Sequence, residues 1–320
     1  MSMTRACVLF AVAVVVVAPR AGGVVGAAER RNGQSQAALS PLTSPPDVVA
    51  ALAFAEGSTW APDGSLFVSD IGKQRITRVL PTGPLTIFRE ASNLANGMLI
   101  ACEGGEYERT WAKASGTPRV TRTNLRAGAV EVLAASGGPI TLHGPNDFTM
   151  DSRGRLYFTN FQGRGVYRID PQGAVTQLLN AATVNRPNGI QVSPDGATLY
   201  LVETGVGAEP RRFVRRYRIT DSGRLERVGI VQNFFAADGM SIDVDGNLYV
   251  SGAAEDRRTG GTADVGVYVI TPGGAQKAFY PVRASFTANN GFGGPDMKTL
   301  FIAGDERIFK VRTDVPGLQR

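Results

Sequence analysis

Short runs of alternating apolar and polar residues fill most of the chain, and glycine-containing turns separate them. No stretch shows the apolar period of about 3.6 residues that marks an amphipathic helix. Alternation with a period of two on both sides of a glycine turn predicts a β-hairpin. The turns recur with spacings of 45, 45, 50, 50 and 44 residues, at Gly83, Gly128, Gly173, Gly223, Gly273 and Gly317.

A second series of short polar motifs runs in phase with the first. In five of its six units, a Leu stands ten or eleven residues after the first residue of the motif and begins another apolar run. Each unit therefore holds four strands in about 45 residues, which is the size of a propeller blade. The six dipeptides are Glu56-Gly57, Asn96-Gly97, Asn146-Asp147, Asn188-Gly189, Asp238-Gly239 and Asn290-Gly291.

Six such units predict an all-β fold, a six-bladed β-propeller with four-stranded blades. The segment DVVAALAF, residues 47–54, precedes the first unit as an outer strand precedes each later one. We expect this N-terminal strand to complete the last blade and close the ring, which leaves no free sheet edge. A linear β-solenoid with open ends is the alternative. Blade two is irregular, because MLIA follows Gly97 directly, and two strand registers stay open there.

The first 46 residues lie outside the repeats. Arg5, an apolar run over residues 7–18 and small residues up to Ala28 predict a signal peptide over residues 1–28. A flexible leader over 29–46 follows, and the propeller is expected as a single domain over 47–320. An uncleaved anchor is the alternative, although the run is short for a membrane span. We expect a secreted or periplasmic protein with no membrane contact after cleavage.

Composition narrows the range of partners. Lys and Arg number 34 against 28 acidic residues, a net charge of +6 that is too modest for a dedicated nucleic-acid binder. There are two Cys, and loss of Cys7 with the signal peptide would leave no intramolecular disulfide. We expect a monomer with no nucleic-acid partner.

The dipeptide series carries the candidate chemistry. The inner strands of a propeller face one channel, so residues at one repeat position form a ring. Calcium takes six to eight oxygen ligands, whereas zinc sites are usually built from His and Cys. Such dipeptides are also ordinary turn signals, but turns do not require an acid in only two units. The ring would present six oxygen-bearing side chains, those of Glu56, Asn96, Asn146, Asn188, Asp238 and Asn290.

At these motifs the chain resembles the senescence marker protein/gluconolactonase (regucalcin-like) family of six-bladed propellers. The resemblance covers roughly residues 48–311 and rests on EGSTW, ANGM, GPNDF, RPNGI, ADGMS and FGGPD. It implies a divalent metal held by Glu56, Asn188 and Asp238, with Asn146 close to both metal and substrate. The metal would usually be Ca²⁺, with Zn²⁺ or another divalent ion as the alternative.

The resemblance further implies a metal-dependent hydrolase that acts on a small-molecule substrate and opens a lactone or a related ester. The metal would act as Lewis acid, and Asp238 would be the catalytic base or nucleophile. Asn96, Asn146 and Asn290 are expected to orient substrate hydroxyls. The TANNGFGG motif is one residue longer than the family form, which leaves Asn289 as an alternative channel residue.

His143, the only histidine, stands beside the GPNDF motif. It is a candidate substrate-binding residue and proton shuttle near neutral pH, and the alternative is a hydrogen-bonded loop residue. Two other functions remain open. A related propeller hydrolase or lyase would act on another bond, and a non-catalytic binding propeller would use the metal only as a staple.

Overall fold

The computed structural model describes residues 47–319 except 82, 93, 102–104, 111–117, 126–127, 138, 206–211, 235, 253–254, 257–260 and 263. The proposed signal peptide and leader lie outside these residues and stay predictions. In the described part of the chain, no helix is long and apolar enough to cross a membrane.

Six four-stranded antiparallel sheets confirm the predicted propeller. Blade one comprises β2 (Ala55–Trp60), β3 (Leu66–Asp70), β4 (Arg75–Val79) and β5 (Leu85–Arg89). Blade two comprises β6 (Ala95–Ala101), β7 (Gly105–Thr110), β8 (Arg119–Asn124) and β9 (Val130–Ala135). Blade three comprises β10 (Pro145–Met150), β11 (Leu156–Asn160), β12 (Gly165–Ile169) and β13 (Val175–Leu179).

The second half of the ring repeats this order. Blade four comprises β14 (Pro187–Val192), β15 (Thr198–Glu203), β16 (Arg212–Ile219) and β17 (Leu225–Phe234). Blade five comprises β18 (Met240–Ile242), β19 (Leu248–Gly252), β22 (Gly266–Ile270) and β23 (Gln276–Pro281). Blade six comprises β24 (Thr287–Gly293), β25 (Thr299–Gly304), β26 (Arg307–Arg312) and β1 (Asp47–Ala51).

The N-terminal strand closes the ring, as the sequence predicted. Strand β1 pairs antiparallel with β26, placing Val48 opposite Phe309 and Ala51 opposite Arg307. The following Leu52 is buried in a cluster with Phe301 and Ile308. The last blade thus joins both ends of the propeller, and its outer strand covers the edge of β26.

Apolar side chains fill the spaces between neighbouring blades. Tyr157 and Val166 of blade three, for example, share a buried cluster with Ile190 and Leu201 of blade four. The six inner strands contact one another in turn and surround the axis. The apolar core therefore lies between blades, and the inner ends of the strands remain available to line a channel.

The glycine turns are confirmed in five blades. Gly83, Gly128, Gly173 and Gly223 adopt φ angles of 112°, 67°, 85° and 75° between the third and fourth strands, a conformation that favours glycine. In blade five Gly274, with φ of 93°, takes this role beside Gly273.

Gly317 departs from the predicted pattern. It forms no hairpin, because β26 ends at Arg312 and β1 supplies the outer strand instead. Its backbone pairs with Asp243 of blade five, and its amide N–H donates to Met297 O at 2.8 Å. The C-terminal segment therefore crosses from blade six to blade five.

Three local features were not fixed by the repeat pattern. In blade two, Asn96 and the LIA segment both lie in the inner strand β6, and β7 begins at Gly105, which resolves the register. A short hairpin of β20 (Glu255–Asp256) and β21 (Gly261–Thr262) interrupts blade five. A 3-10 turn at Ile71–Lys73 follows β3.

Candidate active site

The ring residues lie where the inner strands are interrupted by β-bulges. The register shifts between Glu56 and Ser58 in β2, and matching shifts span Asn96, Asn146 and Asn188 in the next three blades. In blade five, Asp238 lies two residues before the start of β18. A bulge bends the strand and redirects a side chain, so these polar groups project away from the regular sheet pattern.

The glycines of the dipeptides allow the inner strands to approach one another closely. A Cβ added to Gly57 would lie 2.2 Å from Asn96 O, and one added to Gly189 would lie 2.6 Å from Asp238 O. Gly189 N also donates to Asp238 O at 3.1 Å. Neighbouring blades therefore meet backbone to backbone here, which leaves the ring side chains in a narrow, largely buried channel.

Two hydrogen-bonded groups organise the ring. Asn188 Nδ2 donates to Asp238 Oδ1, joining blades four and five. Asn289 Nδ2 donates to Asp147 Oδ1 at 2.9 Å and to Glu56 Oε2 at 3.3 Å. The structure thus gathers side chains from blades one, three and six, which are far apart in the chain.

Buried acceptors without donors mark the same region. In the described residues, Asn96, Asn146 and Asn188 each have a buried side-chain oxygen with no hydrogen-bond partner. Leaving a buried acceptor unsatisfied costs about 1–3 kcal/mol. Because Asn188 directs its amide nitrogen to Asp238, its oxygen points elsewhere. Three such amide oxygens beside carboxylates form a set of hard donors.

This donor set fits a hard cation. Within the described part of the chain, no three His, Cys, Asp or Glu side chains form a metal-binding group by themselves. A cation held here therefore needs amide oxygens in addition to carboxylates, which is typical of calcium and not of zinc. Of the ligands predicted from the sequence, Glu56, Asn146 and Asn188 are buried and Asp238 is half-buried.

Asp147 is the site residue that the sequence reasoning missed. It is buried, and its carboxylate accepts the Asn289 amide, while its own N–H donates to Thr159 Oγ1 at 2.9 Å. Its signal was visible, because Asp147 is the only second member of the six dipeptides that is not Gly. The repeat thus has an additional carboxylate in blade three at a position where blades one, two, four and five have glycine.

Asn289, the alternative left open by the sequence, occupies the ring position of blade six. It pairs with Ala303, three residues after Leu300, just as Glu56 pairs with Ser69, three residues after Leu66. The register shift in β24 falls before Asn289, between Thr287 and Asn289. Asn289 and Asn290 therefore pair with consecutive residues of β25, without a bulge between them. The earlier bulge moves the ring position one residue back from Asn290.

Asn290 itself makes its hydrogen bonds inside the protein. Its Nδ2 donates to Tyr249 O and to Ser251 Oγ, each at 2.9 Å, and its Oδ1 accepts from the Ser241 hydroxyl. These partners all belong to blade five. The Asn290 side chain therefore links blades five and six instead of offering free groups to a substrate.

His143 lies in the loop that leads into β10. Its side chain is exposed, and its backbone N–H donates to Asn160 Oδ1 at 2.8 Å. Asn160 also donates from Nδ2 to Thr141 O at 3.0 Å, which fixes this loop against the end of β11. The loop stands at the same end of blade three as Asn146. His143 therefore lies at the end of the channel that is near the ring residues, which we call the channel mouth.

A cavity of about 110 Å³ continues the channel beyond the ring. Asp147, Asn289 and Asn290 line its polar part, and apolar side chains such as Phe292 line the rest. Leu318 and Gln319 also line it, and Leu318 N donates to Ile242 O at 2.9 Å. The C-terminal segment therefore helps to close the end of the channel opposite the channel mouth.

Closed six-bladed geometry and a ring of carboxylate and amide oxygens define the class: a β-propeller with a polar, cation-compatible channel. Residues 54–304 match the SMP-30/Gluconolactonase/LRE-like region model. The chain therefore belongs to this family, which confirms the resemblance seen in its motifs.

Individual relatives agree with this assignment. A gluconolactonase of Zymomonas mobilis is 25% identical over 320 residues, covering 88% of this chain and 84% of the relative. The lactonase drp35 of Staphylococcus epidermidis is 27% identical over 224 residues, covering 61% of this chain and 62% of the relative.

Solved structures show the same fold. A gluconolactonase from Xanthomonas campestris superimposes with a TM-score of 0.69 at 20% identity, covering 87% of this chain and 96% of that one. Regucalcin from Agrobacterium tumefaciens, a calcium-binding protein, gives 0.66 at 20% identity, with coverage of 86% and 97%.

Proposed function

We propose that this protein is a lactone-hydrolysing enzyme whose reaction takes place at the channel ring. The observation that carries the proposal is the set of three unsatisfied, buried asparagine oxygens at the same repeat position as the carboxylates of Glu56 and Asp238. Relatives named as gluconolactonase and lactonase support the choice of bond. The product would be the corresponding hydroxy acid.

Glu56, Asn146, Asn188 and Asp238 would hold a divalent cation, with Ca²⁺ as the first candidate. Such a cation, when bound, would supply Lewis-acid polarisation of the ester carbonyl. The regucalcin neighbour, described as calcium-binding, supports this choice. Zn²⁺ is the less suitable ion for these ligands, because no His or Cys joins them in the described residues.

Asp238 is assigned as the general base. Its Oδ1 accepts the Asn188 amide, which fixes the orientation of the carboxylate, and it is the least buried of the ring carboxylates. We assign it to orient the attacking water and to accept its proton as oxygen adds to the carbonyl carbon. The C–O ester bond of the lactone then breaks, and the alkoxide that leaves takes up the proton, so charge and atoms balance.

The remaining channel residues are assigned to substrate positioning. Asn96 and Asn146 lie on neighbouring inner strands, where we expect their amide groups to face the channel, and Asn289 contacts the Glu56 carboxylate. Fixed amides can orient lactone hydroxyls before the reaction. His143, at the mouth, stays a candidate for proton exchange with solvent. We further propose that the enzyme acts outside the cytoplasm, in keeping with its N-terminal segment.

The test is hydrolysis of a panel of sugar lactones and aliphatic γ- and δ-lactones, with added Ca²⁺ and then with EDTA. Asp238→Asn keeps the size of the side chain and removes the base, so we expect kcat to fall by about 10²–10⁴-fold. Asp221→Asn is the matched control, because it removes the same charge in an exposed turn of blade four. Full activity of Asp238→Asn, or turnover unaffected by EDTA, would contradict the mechanism.

A further inference from the structure

Arg186 is held at the channel mouth in an unusual backbone conformation. Its φ angle is 50°, in the left-handed region that residues with a side chain seldom adopt. Its carbonyl oxygen accepts hydrogen bonds from Thr204 N and from Thr204 Oγ1, each at 3.1 Å. Leu94, two residues before Asn96, has a similar φ of 60°, so this conformation belongs to the repeat and fixes the backbone from which the Arg186 side chain extends.

The side chain of Arg186 bridges two blades above the ring. Its guanidinium carbon lies 5.0 Å from the ring centre of Phe161, which belongs to the loop after β11 in blade three. Phe161 N donates to Gly144 O at 2.8 Å, two residues before Asn146. Arg186 itself stands two residues before Asn188. The guanidinium therefore lies at the mouth between two strands whose asparagines have unsatisfied oxygens.

The charge of this guanidinium is not neutralised by a carboxylate in the described part of the protein. The acidic side chain at the end of the adjacent strand, Glu203, is already engaged. Its Oε1 accepts from Arg215 Nε at 2.7 Å and its Oε2 from Asn185 N at 3.0 Å. Arg186 is only half-exposed, and the exposed Arg164 lies in the neighbouring loop that also holds Phe161. The mouth is therefore positively charged on this side.

We propose that Arg186 binds an anionic substituent of the substrate, so that the preferred substrates are lactones that carry a carboxylate or a phosphate. This inference rests on the proposed lactonase function and names its substrate class. Phe161 supports one face of the planar guanidinium and leaves its N–H edge available for two parallel hydrogen bonds to an anion. The ring below would hold the lactone carbonyl, while Arg186 fixes the far end of the molecule.

The experiment compares three sugar lactones. D-glucono-1,4-lactone is neutral, D-glucaro-1,4-lactone carries a carboxylate, and 6-phospho-D-gluconolactone carries a phosphate. We expect the wild-type enzyme to prefer one anionic lactone by kcat/KM. Arg186→Gln should lower kcat/KM for that anionic lactone about 10–100-fold, as expected for one lost charge-assisted interaction. It should change kcat/KM for the neutral lactone less than about twofold. Arg186→Lys should recover only part of the loss.

Two further variants control this result. Arg153→Gln removes the same charge in the exposed turn between β10 and β11, at the opposite end of the blade, and should leave the substrate preference unchanged. Phe161→Leu keeps the charge but removes the supporting ring, and should weaken the preference less than Arg186→Gln does. Equal losses on neutral and anionic lactones in Arg186→Gln would overturn the proposal, since they would indicate a structural role only.

Failure of the lactonase function can be told apart from failure of the anion site. If the wild-type protein hydrolyses no lactone, calorimetric titration with glucarate and gluconate tests the site alone. Binding of glucarate that disappears in Arg186→Gln would retain the anion site and reject the reaction. Equal binding of glucarate by both proteins, or no binding by either, would reject the anion site as well.

Discussion

A methyl group added at Gly239, in blade five, should displace the ring residue Asn289 of the neighbouring blade six. A Cβ at this position would lie 2.2 Å from both Cγ and Oδ1 of Asn289, whereas ordinary contacts begin at 3.4 Å. The Asn289 side chain must therefore move by about 1.2 Å. That movement breaks its hydrogen bonds to Asp147 and Glu56, and the bond that its Oδ1 accepts from Asn290 N at 2.9 Å.

The expected loss follows from these three bonds. Hydrogen bonds to charged groups contribute about 1.5–3 kcal/mol each, and a neutral bond about 0.5–1.5 kcal/mol. Partial relaxation makes about 3–5 kcal/mol a reasonable expectation for Gly239→Ala. For a domain of this size, about 2–4 °C of Tm is lost per kcal/mol, so Tm should fall by about 10 °C. Cation affinity should fall too, because the Glu56 carboxylate loses the Asn289 amide and keeps only the Gly57 N–H to fix its orientation.

Urea unfolding and calorimetry measure the effect, and a double-mutant cycle assigns it. In an Asn289→Ala background, Gly239→Ala should cost less than about 1 kcal/mol, because the colliding side chain is absent. Gly229→Ala in β17 is the matched control; no atom lies within 4 Å of its Cβ, and its effect should stay within about 0.5 kcal/mol. An equal cost in both backgrounds would refute the proposed collision.

Three further outcomes test the fold and the site. Leu52→Ala should lower the free energy of unfolding by about 2–5 kcal/mol in urea titrations, whereas Val48→Ala, exposed on the same closing segment, should change it little. Excess EDTA should lower Tm, and Ca²⁺ should restore it. At one hundred times Kd, Ca²⁺ should add about 2.7 kcal/mol to the free energy of unfolding, and an unchanged Tm would contradict the cation site. Hydrogen bonds from the Ser193 hydroxyl and from the backbone N–H of Ala197 lower the pKa of Asp195, so its contribution is present near neutral pH and is lost on acidification. Asp195→Asn should therefore destabilise the protein more at pH 7 than at about pH 3, and equal losses at both would contradict this reasoning.

The sequence by itself determined the architecture. Alternating strands, glycine turns and polar dipeptides recur once per blade, and a repeat of about 45 residues has few ways to bury its apolar faces. The same phase placed Glu56, Asn96, Asn146 and Asn188 on inner strands and predicted closure by β1. These features follow from local periodicity, which a single sequence displays directly.

Only the tertiary structure decided how the ring is assembled. The ring position of blade six depends on where the bulge falls in β24, and that is set by pairing with β25. The contacts of Asn289 with Asp147 and Glu56 join residues 142 and 233 positions apart. Likewise, Arg186 meets Phe161 only because adjacent blades bring their loops together. Periodicity specifies which residue each blade contributes, whereas contacts across the axis depend on the closure of all six blades.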